Sequence, residues 1–188
     1  MKKTKVLQST SGQALIETAL ILPILLTVVL NAVNFAFFFL VALNITSSSR
    51  TSGIYSIMGG ATPAAMALPT SANVTDLAQQ DLTGALSAPT TKTGVNVCSS
   101  TIGTSGTGAS TVTTCTSTGI GGGYPTSADA DPEAPDFLMG RVDVAYQFSP
   151  PIPLTPFNAL LLLATNCSSS GGTVTCTFYR HIVMREMQ

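Results

Sequence analysis

The sequence predicts an α+β protein: a long N-terminal transmembrane helix extends into a stalk, and a small antiparallel β-sheet domain with disulfides follows. Three observations predict it. An apolar run without a single charge lies near the N-terminus, two segments alternate apolar and polar residues near the C-terminus, and four cysteines sit among Ser, Thr and Gly. With 188 residues there is room for one membrane helix and one modest core.

Charge is scarce. Only 9% of residues are Asp, Glu, Lys or Arg while 45% are hydrophobic, whereas soluble domains carry about 25% charged residues. A net charge of -1 without clustered cations after Lys5 argues against nucleic acid as a partner, because phosphate binding needs grouped Lys and Arg to displace counterions.

The first twelve residues, MKKTKVLQSTSG, hold Lys2, Lys3 and Lys5 and no acid, which reads as a basic leader kept in the cytoplasm. From Thr18 to Ser49 no charge occurs, and the apolar part, Ala19 to Leu43, spans 25 residues. As a helix it measures about 37 Å, enough to cross a bilayer core of about 30 Å. Secretory signal cores run to about 15 residues and end at a small-residue site, so the longer span, with Phe35, Phe37, Phe38 and Phe39 near its far end, is expected to stay as an anchor. The lysines precede it and the next cation is Arg50, which places the N-terminus in the cytoplasm and the domain outside. Residues 44–60 lose lipid-grade hydrophobicity without a proline, so the helix is expected to emerge as a stalk until Gly59 and Gly60 stop it.

Beyond lies a linker with a short amphipathic helix, together residues 61–92, in which Leu77, Leu82 and Leu86 are expected to share one side. The domain proper is assigned to residues 93–188. Between Pro89 and Pro135 the Gly, Ser and Thr content reads as loop around at most two short strands, near Val95–Cys98 and Val112–Cys115. Arg141 to Phe148 is the clearest strand: Val142, Val144, Tyr146 and Phe148 are expected to face a core, and Arg141, Asp143, Ala145 and Gln147 to face water. Thr173 to Met184 repeats the pattern, with Gly171 and Gly172 at the turn of a hairpin. The run Leu160 to Leu163 is too short to span and is expected in a core or against a partner.

Four cysteines allow three pairings. Local pairing, Cys98 with Cys115 and Cys167 with Cys176, is favoured and implies an oxidising compartment, with four reduced buried thiols as the alternative.

Most chemistry is readable at the membrane end. Gly12 and Gln13 precede the apolar helix and Glu17 lies just inside it. A carboxylate at that depth is disfavoured by roughly 2.5 to 3.5 kcal/mol and needs a partner. Cleavage after Gly12 supplies one, since the new amine of Gln13 stands one helical turn from Glu17. Glycine there lets the backbone enter a protease cleft extended. Pro23 removes a helix hydrogen bond and is expected to kink or loosen the span. Asn31 and Asn34 are expected either to bond neighbouring helices or to reach the headgroups.

The stretch SGQALIETALILPILL, Ser11 to Leu26, resembles the N-terminus of TadE-like pseudopilins, minor pilins of the tight-adherence (Flp, type IVc) pilus system. VDVAYQFSPPIPL and RHIVMRE are similar to the family's late strands, though less specific. The resemblance implies cleavage after Gly12 by a prepilin peptidase, docking of Glu17 against the processed N-terminus of a neighbour, and partnership with other pilins and the inner-membrane assembly platform. It further implies a structural part in pilus biogenesis and adhesion, without enzymatic activity or cofactor. The Gly, Ser and Thr rich insert over residues 90–135 departs from the family's pattern. A tethered extracytoplasmic binding module outside any pilus is the alternative.

Other candidates are weak. His181 is the only histidine and lies in an expected strand, which suits a surface or stacking role. Asp129, Asp131 and Glu133 have spacing that Ca²⁺ can use, but Pro132 and Pro135 favour a solvated loop, and no metal is expected.

Overall fold

The computed structural model describes residues 10–58, 69–86, 90–102, 111–121, 124–125 and 138–186. Helix α1, Thr10–Met58, runs for 49 residues, about 73 Å at the usual rise. Helix α2 spans Ser71–Leu86. Five strands follow: β1 Thr93–Ile102, β2 Thr111–Gly119, β3 Leu138–Phe148, β4 Cys167–Ser170 and β5 Thr173–Glu186. They form one antiparallel sheet in the order β2-β1-β3-β5-β4.

Period-two alternation gives the sheet two unlike faces. Val95 and Val97 of β1 register with Val144 and Val142 of β3, and Tyr146 and Phe148 with Phe178 and Cys176 of β5. These side chains form the core with Val41 and Ile45 of α1 and Val74, Ala78 and Leu82 of α2. Phe38 carries α1 into this core, its ring centroid 4.7 Å from that of Phe178.

The expected stalk does not stand free in water. The buried or half-buried positions Asn31, Asn34, Phe38, Val41, Ile45, Ser48 and Ser52 recur at alternating intervals of three and four, the spacing of a helix seam packed along its length. Residues of the presumed stalk are therefore the domain's spine. Ser48 donates from Oγ to the Ala78 carbonyl of α2 at 3.3 Å, so small polar residues mark a close helix crossing.

Gly53 sets the approach of α1 to β5. A Cβ added there would lie 2.4 Å from Ile182 Cγ2, and a β-branched side chain has no room to swing aside. Gly53→Val is expected to destabilise the chain by about 2 kcal/mol through overpacking. Gly84→Ala, where nothing lies within 4 Å of the new Cβ, is expected to gain up to about 1 kcal/mol from helix propensity. Denaturant unfolding of both variants in detergent checks the opposite signs.

Several expectations need correction. On α2 the buried stripe is Val74, Thr75, Ala78 and Leu82, with Leu77 only half-buried, because α1 and the sheet pack on the small-residue side. Strands β1 and β2 are longer than the segments expected; their Thr residues, β-branched, suit extended backbone. The second face of β3 is not wet: Arg141, Asp143 and Ala145 are all buried. The leucine run divides, with Leu161 buried while Leu160, Leu162 and Leu163 are exposed.

Both disulfides follow the local pairing, Cys98–Cys115 and Cys167–Cys176, and no described cysteine is free. Each joins cross-strand partners, β1 to β2 and β4 to β5, so both tie an edge strand to the interior. Register places Cys176 on the helix face and Cys98, opposite Arg141, on the other.

Candidate functional site: an exposed apolar helix and its polar collar

From Gly12 to Val29, α1 touches almost nothing; Leu15, Ile16, Leu20, Ile24 and Val28 are all more than 60% exposed. An apolar surface of this length is not stable against water, and the helix is long and apolar enough to cross a membrane. Its two hydroxyl side chains are satisfied within the helix. Thr18 donates to the Ala14 carbonyl at 2.9 Å and Thr27 to that of Pro23 at 2.8 Å, the form of hydroxyl bonding that suits low dielectric.

Glu17 is exposed on this surface and has no ion-pair partner among the described residues. Gly12 and Gln13 occupy the first turn of α1. The first amides of a helix lack acceptors in the preceding turn, so this is where α1 unwinds at least cost if a protease requires extended backbone. Pro23 lies within α1 without ending it. Lys2, Lys3 and Lys5, the cations of the expected leader, lie outside the described residues, as do Asp129, Asp131 and Glu133. Among the described residues no cluster of three His, Cys, Asp or Glu side chains could hold a metal. His181 is exposed, its ring 6.1 Å from that of Tyr179.

Where the free stretch of helix ends, two asparagines seize a loop of the same chain. Asn34 is fully buried. Its Nδ2 lies 3.0 Å from the carbonyls of Ile152 and Phe157 and 2.8 Å from Asn158 Oδ1, while its Oδ1 accepts from the Ile152 amide. One turn earlier Asn31 donates to the Pro156 carbonyl at 3.1 Å and accepts from the Leu160 amide. Asn158, also buried, returns hydrogen bonds to the carbonyls of Ile152 and Leu154. The expected choice between neighbouring helices and headgroups is thus replaced by an intrachain collar. Only the three-residue spacing of Asn31 and Asn34 within an apolar span signalled it, and the distant partners could not be read.

A second polar cluster lies on the other sheet face. Arg141 pairs with Asp143 at 3.0 Å, Asn96 Nδ2 donates to Asp143 Oδ2 at 3.0 Å, and the Tyr179 hydroxyl donates to Asp143 Oδ1. Tyr124 covers them, its ring 5.9 Å from that of Tyr179. Burial, then the charges of Asp143 and Tyr179, push the Tyr124 phenol up to about 12; burial first, then the Asp143 hydrogen bond, raises Tyr179. Both phenols are held in the protonated form, which donates. An open hollow of about 530 Å³ flanks this cluster. Both Asp143 carboxylate oxygens are engaged, which ties β1, β3 and β5 together on this face.

Glu17 at the membrane end, the collar at mid-helix and the disulfides in the sheet are separate, and the fold brings none of them together. Residues 12–53 match a family model described as TadE-like protein. No curated protein and no solved structure matches the chain. The matched segment is almost wholly α1, including Glu17, the collar asparagines and Gly53.

Proposed function

We propose that this chain, whose segment 12–53 is similar to TadE-like proteins, is a minor pilin, or pseudopilin, that acts in assembly of a tight-adherence (type IVc) pilus. A prepilin peptidase cuts after Gly12, the leader lysines stay in the cytoplasm, and the disulfide-bonded domain lies outside. The subunit is structural and does no chemistry of its own. Its partners are other pilins, which it meets through α1, and the inner-membrane assembly platform.

One observation carries this reading: a lone exposed carboxylate, Glu17, on an otherwise apolar helix surface, one turn from the amine that cleavage would create at Gln13. A carboxylate there costs roughly 2.5 to 3.5 kcal/mol to insert unless neutralised. An N-terminal ammonium, in its own chain or a neighbour's, neutralises it. That requirement gives each incoming subunit a defined axial position, because attraction between the two charges in lipid is strong and is greatest when they are in contact.

The membrane-extracted protein is expected to begin at Gln13. Glu17→Ala should insert normally, be cleaved normally, and reduce piliation by at least tenfold, the equivalent of about 1.4 kcal/mol per docking event. Edman sequencing and counts of surface fibres check both parts. A mature chain that starts at Met1 would favour a tethered binding module, and unchanged piliation in Glu17→Ala would remove the docking role.

A further inference from the structure

We propose that the loop from Ile152 to Leu163 inserts into the outer leaflet of the bilayer, so that the domain sits in the membrane surface rather than above it. This rests on α1 spanning the membrane, as proposed above.

Depth is the first argument. Counted from Glu17 at the inner edge of the hydrocarbon, Asn34 lies 17 residues along α1, or about 26 Å. A hydrocarbon core is about 30 Å thick. The collar therefore holds its loop inside the outer boundary, and any tilt of α1 carries it deeper.

The loop's covalent and hydrogen-bonding chemistry is the second. No Asp, Glu, Lys or Arg occurs from Val144 to Tyr179. Pro150, Pro151, Pro153 and Pro156 have no amide proton to satisfy. The carbonyls of Ile152, Leu154, Pro156 and Phe157 all accept from Asn31, Asn34 or Asn158. The amides of Ile152 and Leu160 are bonded to the same collar, and those of Phe157 and Leu163 to nearby carbonyls. Irregular backbone tolerates hydrocarbon only when its polar groups are met internally, and the carbonyls and amides named here are met in that way. Water would demand none of this.

Exposure is the third. Leu154, Leu160, Leu162 and Leu163 are 56%, 48%, 41% and 80% exposed, next to the equally bare surface of α1. A continuous apolar surface on helix and loop at one depth matches lipid, which covers any shape, better than a protein partner, which must match one. Lys92, whose Nζ lies 3.3 Å from Ser149 Oγ at the start of the loop, puts an ammonium where lipid phosphates would be met.

The chain contains no Trp, so single substitutions report without background. Four full-length variants, Leu163→Trp, Leu154→Trp, Val28→Trp in the span and Ala72→Trp on α2, would be placed in vesicles of phosphatidylethanolamine and phosphatidylglycerol with or without brominated acyl chains. Emission of Leu163→Trp and Leu154→Trp is expected to shift to the blue and to be lost to bromine as fully as that of Val28→Trp, while Ala72→Trp keeps its emission. Loss at Val28→Trp alone would overturn the loop insertion and leave the span intact. Blue-shifted emission at the loop without bromine quenching would overturn it in favour of a protein contact. No quenching at Val28→Trp would overturn both readings.

Discussion

Asp143→Ala is expected to destabilise the domain by about 3 to 5 kcal/mol, the cost of removing one partner from a buried ion pair. Asp143 is fully buried, and its carboxylate offsets the desolvation of the Arg141 guanidinium while accepting from Asn96 and Tyr179. Arg141 remains cationic: burial opposes its charge, but hydrogen bonds to Asp143 and Tyr179 outweigh that opposition. Asp143→Ala thus leaves a buried cation, an amide and a phenol short of one acceptor each. The paired variant Arg141→Leu with Asp143→Leu should recover most of the loss, since apolar replacement of a whole buried pair is often neutral. Denaturant midpoints of the variants decide it; a loss under about 1 kcal/mol for Asp143→Ala would show that the pair is effectively solvated.

Reduction of the disulfides should cost about 3 kcal/mol each, from the loop entropy restored to the unfolded chain. The closed segments have sequence separations of 17 and 9, so the first bridge is worth slightly more. Each bridge pins an edge strand, β2 or the four-residue β4. Loss of Cys167–Cys176 is expected to release β4 beside the collar loop, and loss of Cys98–Cys115 to release β2 at the opposite edge. Limited proteolysis with and without reductant, read by mass spectrometry, should show new cuts at these edges and none within Ala19–Val29. Unchanged proteolysis after full reduction would mean that strand pairing alone holds the edges.

How far the site was legible follows from the range of the interactions. The apolar run and the acid at its edge, Glu17, could be read because charge and span are contiguous, and solvent preference acts residue by residue. The two disulfides could be favoured because each closes a short segment. Asn31 and Asn34 were visible as polar residues in an apolar helix, yet their partners lie more than a hundred residues away, beyond any local pattern.

β3 shows the same limit from the other side. Its alternation correctly named the core face, but the charged residues between were assigned to water because charge is normally solvated. The sheet instead pairs Asn96 with Asp143 and brings Tyr179, opposite Ala145, diagonally onto the same carboxylate, and the segment carrying Tyr124 covers them. Gly94 permits that cover: a Cβ there would fall 1.6 Å from the Ile120 carbonyl oxygen.

Sequence by itself determined that a long apolar helix precedes an antiparallel, disulfide-bonded sheet, because hydrophobic period and cysteine spacing are properties of neighbouring residues. Tertiary structure alone decided that the C-terminal half of the helix is a packed spine, that a proline-rich loop is hydrogen-bonded to mid-helix, and that an aspartate on a nominally wet face is buried. Those outcomes depend on which distant groups can satisfy one another's hydrogen bonds and charge once water is gone, and that is settled only when the chain has closed on itself.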